Sequence, residues 1–270
     1  MADTIPGQLL TERLRRQQIA LRAQFLRELH KVWPLLDPVR LDATAASWLS
    51  LVLDLVIGFR TQSATLSLVY YDKFRSAETG LPAFHADHLA DLIRPNLDAI
   101  RTSLIVTGPV KIKHDTALGR DLKDIGRQAL VSVSGAASRH VLNGGRDAID
   151  TAVASDTRSV GFVRTLGPKP CYFCAMLASR GPVYLTEETA LRTTVRSERG
   201  PGQKYHDNCM CGAEPMFRRL AKQDWPDETR ELNQMWKDAK KGHSGKAVVN
   251  AFRQAFEARQ AAIPTQRTGR

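Results

Sequence analysis

Long apolar runs are missing from this chain. The most apolar stretch, WLSLVLDLVIGF at 48–59, is broken by Asp54. It is also shorter than the roughly 20 residues a membrane-crossing helix requires, so a buried helix is expected and a membrane is not among the expected partners. The opening residues, MADTIPGQLLTERLRRQQ, have no apolar core of the kind a secretory signal carries, so a cytosolic origin is expected. Phosphate-cradling glycine patterns are absent. Neither G-x-x-x-x-G-K-[ST] nor a G-x-G-x-x-G after a strand occurs, and GHSGK at 242–246 has the wrong order and spacing. Gly108 and the pair Gly144–Gly145 are therefore not read as an ATP or dinucleotide site. The metalloprotease helix H-E-x-x-H is absent as well. Cysteine is scarce, four in 270 residues, and confined to one stretch.

Negative charge is in deficit. The chain has 39 Lys and Arg against 28 Asp and Glu, a formal net charge of +11. Such an excess favours a polyanionic neighbour without conferring sequence recognition. Residues 218–270 hold 12 basic and 6 acidic side chains, +6 of that total. Lys237, Lys240, Lys241, Lys246 and Arg253 are the candidate nucleic-acid contacts, for binding without sequence preference.

Helical periodicity dominates what remains. Leu14, Leu21, Phe25, Leu29 and Val32 predict an amphipathic helix over 11–33, ended by Pro34. Asp42 is a candidate cap for a helix over 43–57. Gly58 marks a break before a further helix over 60–75, where one of Tyr70 and Tyr71 is expected in the core and the other on the surface. A short helix is expected over 86–94. His85 and His88 beside it are read as exposed first-turn residues rather than as a metal site. SLIVTGPVKIK at 103–113 predicts an extended segment, a hairpin or crossover around Gly108–Pro109. Helix returns over 121–143, is closed by Gly144–Gly145, and resumes over 147–154. SVGFVRTL at 159–166 is a strand candidate, as is PVYL at 182–185, with a polar turn and loop over 187–203. Leu232 and Trp236 mark a short helix, Val249, Phe252 and Phe256 a final amphipathic one, and AIPTQRTGR an extension.

The chemical signal lies between. Cys171 and Cys174 are spaced C-x2-C, and His206, Cys209 and Cys211 follow as H-x2-C-x-C about thirty residues later. Two such pairs are the grammar of a structural zinc site, since a turn can aim two sulfurs at one ion about 2.3 Å away. Histidine with three thiolates and four thiolates with His206 beside them both satisfy a tetrahedron. The preferred set is Cys171, Cys174, His206 and Cys209, with Cys211 a neighbouring thiol or an alternative ligand. Packed metal-free thiols and a disulfide or redox pairing are the competing readings. With no open coordination position evident, the ion is read as a staple holding the ends of a long polar loop. Catalytic residues are unassigned. A serine–histidine dyad could be drawn with Ser134, Ser159 or Ser179, and His206–Asp207–Asn208 invites comparison with metal-dependent nucleases. Sequence joins none of these pairs.

The stretch GFVRTLGPKPCYFCAMLASRGPVY with YHDNCMCGAEPMF resembles the Mu F-like domain of tailed-phage minor head proteins, in the form found in phages of actinobacteria. The matching positions are Arg164, Cys171, Cys174, Gly181, Tyr184, His206, Cys209 and Cys211, over about 159–217. Asp207 stands where the family often has proline. Lys169 stands where an acidic or polar residue often precedes the cysteine pair. The resemblance implies a virion or procapsid component, associated with the portal and with capsid or scaffold protein and in contact with packaged double-stranded DNA, which the basic charge independently suits. Relatives of this kind are sometimes labelled capsid maturation proteases. The resulting expectation is a predominantly helical α+β protein: a helical N-terminal lobe (1–102), a small α+β domain with the Cys/His cluster at 171–211 (103–217), and a basic C-terminal region (218–270). Its expected function is a structural minor capsid protein, with a maturation protease and then a metal-dependent nucleic-acid enzyme as alternatives.

Overall fold

The computed structural model describes residues 2–181 and 205–262. The first helix, α1 (Ile5–Val32), starts where Thr4 accepts a bond from the Gly7 N–H and Pro6 presets the first turn. Its residues Leu21, Phe25 and Leu29, four apart, are buried. α2 (Leu41–Thr79) ends at Gly80, whose φ of 69° is the left-handed conformation glycine adopts most readily. α3 (Leu97–Ile105) leads through a π-turn into α4 (Lys111–Ala117). α5 (Leu122–Ser155) begins at Asp121, whose carboxylate accepts from the N–H groups of Lys123 and Asp124. Beyond it come β1 (Gly161–Thr165), α6 (Tyr172–Ala178), β2 (Gly212–Met216), α7 (Asp227–Ala239) and α8 (Lys246–Ala262). The protein is thus predominantly helical with one two-stranded antiparallel sheet among the described residues.

α1, α2 and α5 form one core with α3 and α4. Phe25, Leu29, Trp48, Val52 and Val56 are buried against Leu104, Ile112, Ala129, Val133 and Val141, so a single apolar cluster spans both sides of residue 102. A second cluster joins the far half of α2 (Leu68, Tyr71, Phe74) to Ile149 and Val153 of α5, Phe162 of β1 and Ala213 of β2. Between α6, α7 and α8 lies a third, around Leu232, Phe252 and Phe256. Two ion pairs tie α2 to α5 and its end: Arg60 with Asp147, and Arg75 with the buried Asp156 at 2.6 Å. By length and composition alone α2 could cross a bilayer. Within the fold it buries Trp48, Val52, Val56 and Tyr71 in the two clusters.

Several expected boundaries fall. The helix runs unbroken through Gly58, and through Gly144–Gly145, because tertiary packing outweighs the roughly 1 kcal/mol a helical glycine costs. At Gly144 glycine is a packing requirement: a Cβ there would stand 2.2 Å from the Arg60 carbonyl oxygen. The segment 103–113 is helical, not extended. Ile100, Leu104 and Ile112 bury their apolar sides, and a Cβ on Gly108 would come within 3.0 Å of the Trp48 ring. Pro109 has no N–H for the ladder, and the helix widens to π over Val106–Val110. Asp42 lies in the first turn of α2 rather than at its cap, which is Arg40. Tyr70 and Tyr71 are both buried. The strand at 182–185, the loop at 187–203 and the extension from 263 lie outside the described residues.

Two measurements check this packing. Gly144→Ala is expected to lose about 2 kcal/mol or more by overpacking against Arg60, while Gly58→Ala, with open space around it, is expected to gain up to about 1 kcal/mol, both read by urea denaturation. His140 on α5 is buried with Nε2 unpartnered, and burial, aided by Arg139 and Arg60, pushes its pKa down to about 3. A folded pKa below the unfolded one means its neutral form is favoured in the fold. Its contribution is intact above pH 6.5 and is lost progressively toward pH 3. Replacing it by Gln should flatten the acid side of the stability profile by roughly 2 kcal/mol between pH 6.5 and 5. An unchanged slope would remove His140 from the account.

Candidate metal centre

The β1–β2 ladder assembles the cluster. Its antiparallel register pairs Gly161 with Met216 and Thr165 with Gly212. The chain leaving β1 toward Cys171 and the chain entering β2 from Cys211 therefore share one end of the sheet. Gly167 N–H reaches back to Cys211 Sγ at 3.3 Å and links the two segments directly. Cys171 caps the N-terminus of α6, and its sulfur accepts from the Cys174 N–H at 3.4 Å. On the other side Asn208 sits at φ 63°, a conformation asparagine tolerates, in the turn where Cys209 N–H bonds the His206 carbonyl. That turn brings Cys209 back under His206.

The five expected donors converge. Cys171 Sγ lies 2.8 Å from His206 Nε2, Cys174 Sγ lies 4.0 Å from the same nitrogen, and Cys174 and Cys209 sulfurs are 3.4 Å apart. They fall into two overlapping groups, Cys171–Cys174–His206 and Cys174–Cys209–Cys211, either of which could hold a metal ion. Cys174, Cys209 and Cys211 are buried, Cys171 is half-buried, and His206 is exposed. All four cysteines are free, so the competing disulfide reading does not describe this cluster. His206 Nδ1 lies 2.7 Å from the Asp207 carbonyl oxygen; as the donor there, it leaves the Nε2 lone pair facing the sulfurs.

Protonation divides the sulfurs in two. The hydrogen bond from Cys174, reinforced by backbone N–H groups and His206, brings Cys171 down to about 5. Bonds from Cys174 and Cys211, with the Arg146 charge, bring Cys209 down to about 2. Cys174 is pushed far up, because its proton is shared among the neighbouring sulfurs. For Cys211, the bond with Cys174 lowers the pKa, but the Cys209 thiolate and burial outweigh it and raise it to about 12. Burial lowers the His206 pKa, but the Asp207 carbonyl and the Cys171 and Cys209 sulfurs outweigh it and raise it, so an ion held there would displace the imidazole proton. Thiolates with one imidazole are a donor set zinc takes.

Helix α5 supports the cluster with residues the sequence reading missed. Arg146 donates to the Cys209 carbonyl at 2.7 Å and to the Cys211 carbonyl at 2.9 Å, and it lies 3.6 Å from the centre of the buried Tyr205 ring. Arg164 covers the same ring at 4.2 Å and reaches Cys174 Sγ at 3.7 Å. Two turns nearer the start of the helix, Arg139 pairs with Asp207 at 2.7 Å, and Arg22 of α1 donates to the Asn208 side chain at 2.9 Å. Gly135 lets this loop lie close, since its Cβ would stand 3.0 Å from the Asn208 amide. Arg164 is marked by the resemblance; the only sequence trace of the two α5 arginines is spacing, 139 and 146 being two helical turns apart with Gly135 four residues earlier.

Other expected sites stay apart. Among the described residues Ser159 donates to the carbonyls of Gly161 and Met216, Ser179 donates to that of Met176, and Ser134 Oγ has no partner, so none of these serines bonds a histidine. Asp207 is held by Arg139 rather than presented with His206. His88 Nδ1 meets the His85 carbonyl, and neither histidine belongs to a metal-competent group. Lys237, Lys240 and Lys246 are exposed, while Lys241 pairs with Asp238, and Arg253 pairs with Glu257 and covers Tyr172. Of the positions carrying the Mu F-like resemblance, Gly181 has φ 70° and no room for a Cβ beside Trp225, and Tyr184 lies outside the described residues.

A family model described as VG15 protein matches residues 8–239, from α1 through α7. No curated protein matches the chain, and no solved structure does. Because Arg146 holds the carbonyls of two candidate ligands, Arg146→Ala is expected to weaken the affinity for a metal ion about 10- to 100-fold, measured by competition with a chromophoric chelator. Unchanged affinity would make Arg146 a packing residue only.

Proposed function

Because the chain belongs to the VG15 family, a family of viral proteins, we propose that it is a structural minor capsid protein of a tailed phage, of the Mu F-like type. In this reading it associates with the portal, and with capsid or scaffold protein, during head assembly. It works inside the procapsid or virion head, after synthesis in the host cytoplasm. The observation that carries the reading is where the Cys/His donors sit. They lie at the end of the sheet, clamped by Arg146 and Arg139 of α5, so that an ion there joins the small β-containing part to the long-helix lobe. Such an ion staples. Zinc is the metal proposed, because sulfur with one imidazole nitrogen is its usual structural donor set.

Packaged DNA is the second proposed partner. The exposed Lys237, Lys240 and Lys246 lie at the end of α7, in the turn after it and at the start of α8, with no acidic residue between 239 and 256. Binding of this kind, through the phosphate backbone, has no sequence preference and weakens with salt.

Two experiments test the reading. Mass spectrometry of purified phage heads should find the protein at low copy number, and it should remain with the portal when heads are disrupted. Absence from heads would overturn the assignment. For DNA, the triple variant K237A/K240A/K246A should bind duplex DNA more weakly. Its log–log salt slope should be reduced by up to about 2.7, since each phosphate that a lysine neutralises adds about 0.9 to the slope. An unchanged slope would remove these lysines from the interface.

A further inference from the structure

Five donors gather in the cluster, but they do not gather around one point. Cys171, Cys174 and His206 lie within 4.8 Å of one another, and so do Cys174, Cys209 and Cys211. No four of the five satisfy that distance together. A single tetrahedral zinc, with sulfur about 2.3 Å from the ion, needs every pair of sulfurs roughly 3.8 Å apart. Cys174 alone meets both groups. The other four donors form an outer pair, Cys171 with His206, and an inner pair, Cys209 with Cys211.

Each pair is fixed where it stands by bonds to the surrounding protein. Cys171 Sγ is held by the Cys174 N–H, and the His206 ring by the Asp207 carbonyl. Cys211 Sγ is held by the Gly167 N–H, while Arg146 holds the carbonyls of Cys209 and Cys211. Drawing four donors around one ion would require at least one of them to shift from where these bonds hold it.

We propose that the cluster is a two-ion centre in which Cys174 Sγ bridges an outer metal ion, held with Cys171 and His206, and an inner one, held with Cys209 and Cys211. This rests on the zinc reading above and deepens it. A thiolate sulfur has lone pairs enough for two ions, and three protein donors leave each ion one position for a further ligand. The outer position faces solvent, since His206 is exposed and Cys171 half-buried. Beside the inner ion, Cys211 also lines a cavity of about 240 Å³ between α1, α5 and β2, shared with Arg146, Leu142 and Met210. That cavity is large enough for several waters.

Native mass spectrometry of the full chain, titrated with zinc, tests the proposal. Cobalt(II) absorption provides a second readout through its sulfur-to-metal charge-transfer band. The wild type is expected to saturate at two ions. His206→Ala and Cys211→Ser are each expected to retain one ion, and both to lose charge-transfer intensity: the first keeps the inner ion with its three sulfurs, the second the outer ion with its two, so the loss is larger for Cys211→Ser. His206 is exposed, so its variant is informative even where a buried cysteine variant unfolds. Saturation of the wild type at one ion would overturn the two-ion centre and leave the staple standing. Saturation at none would overturn both. A second ion retained by both variants would lie elsewhere and would also overturn the bridge.

Discussion

Everything in this molecule is arranged around the close approach of α2 and α5. It is possible only because position 144 has no side chain: a Cβ there would collide with the Arg60 backbone. With α5 seated against α2, its other side is free to carry Gly135, Arg139 and Arg146 toward the cysteine cluster. One helix thus does two jobs with two faces. The first face completes the apolar core, and the second supplies the buried cations on which the donor-bearing loop rests.

That division explains the electrostatics of the site. A cluster of sulfur donors is costly to bury unless its charge is met and its backbone polar groups are bonded. Arg146 meets the backbone requirement through two carbonyls, and Arg164 lies beside Cys174. Tyr205 between the two guanidinium groups keeps water away and gives both a ring face to rest on. The arrangement favours thiolates at Cys171 and Cys209, so the site is electrically prepared for a cation.

The sequence disclosed the donors but not their support. Cysteine and histidine at knuckle spacing are rare enough to be read directly, and all five meet in space. Arg139 and Arg146 left no comparable mark, because an arginine on a long helix usually faces water and only the fold turns these two inward. Helices were legible from their apolar spacing, while their ends were not. Gly58, Gly144 and Gly145 read as punctuation, yet two of them are contacts and one is a tolerated surface glycine. The stretch 103–113 read as strand from its β-branched residues. Trp48 packing on Gly108 and the burial of Leu104 and Ile112 overrode that local preference. Strand β2 escaped notice because GAEPM carries little of the strand signature and is defined by its partner.

The ladder that unites the two halves of the cluster also sets an order of events on the ribosome. Cys171 and Cys174 leave the exit tunnel well before Cys209 and Cys211, and β1 has no partner until β2 follows. At about 5–20 residues per second, the first two thiols wait on the order of 2–8 s for the second pair. During that interval β1 has no partner strand, and Asp207, the partner of Arg139, has not yet been made. Assembly of the cluster, and of any metal site it forms, is therefore a late step of synthesis, because its second half is the last of it to emerge.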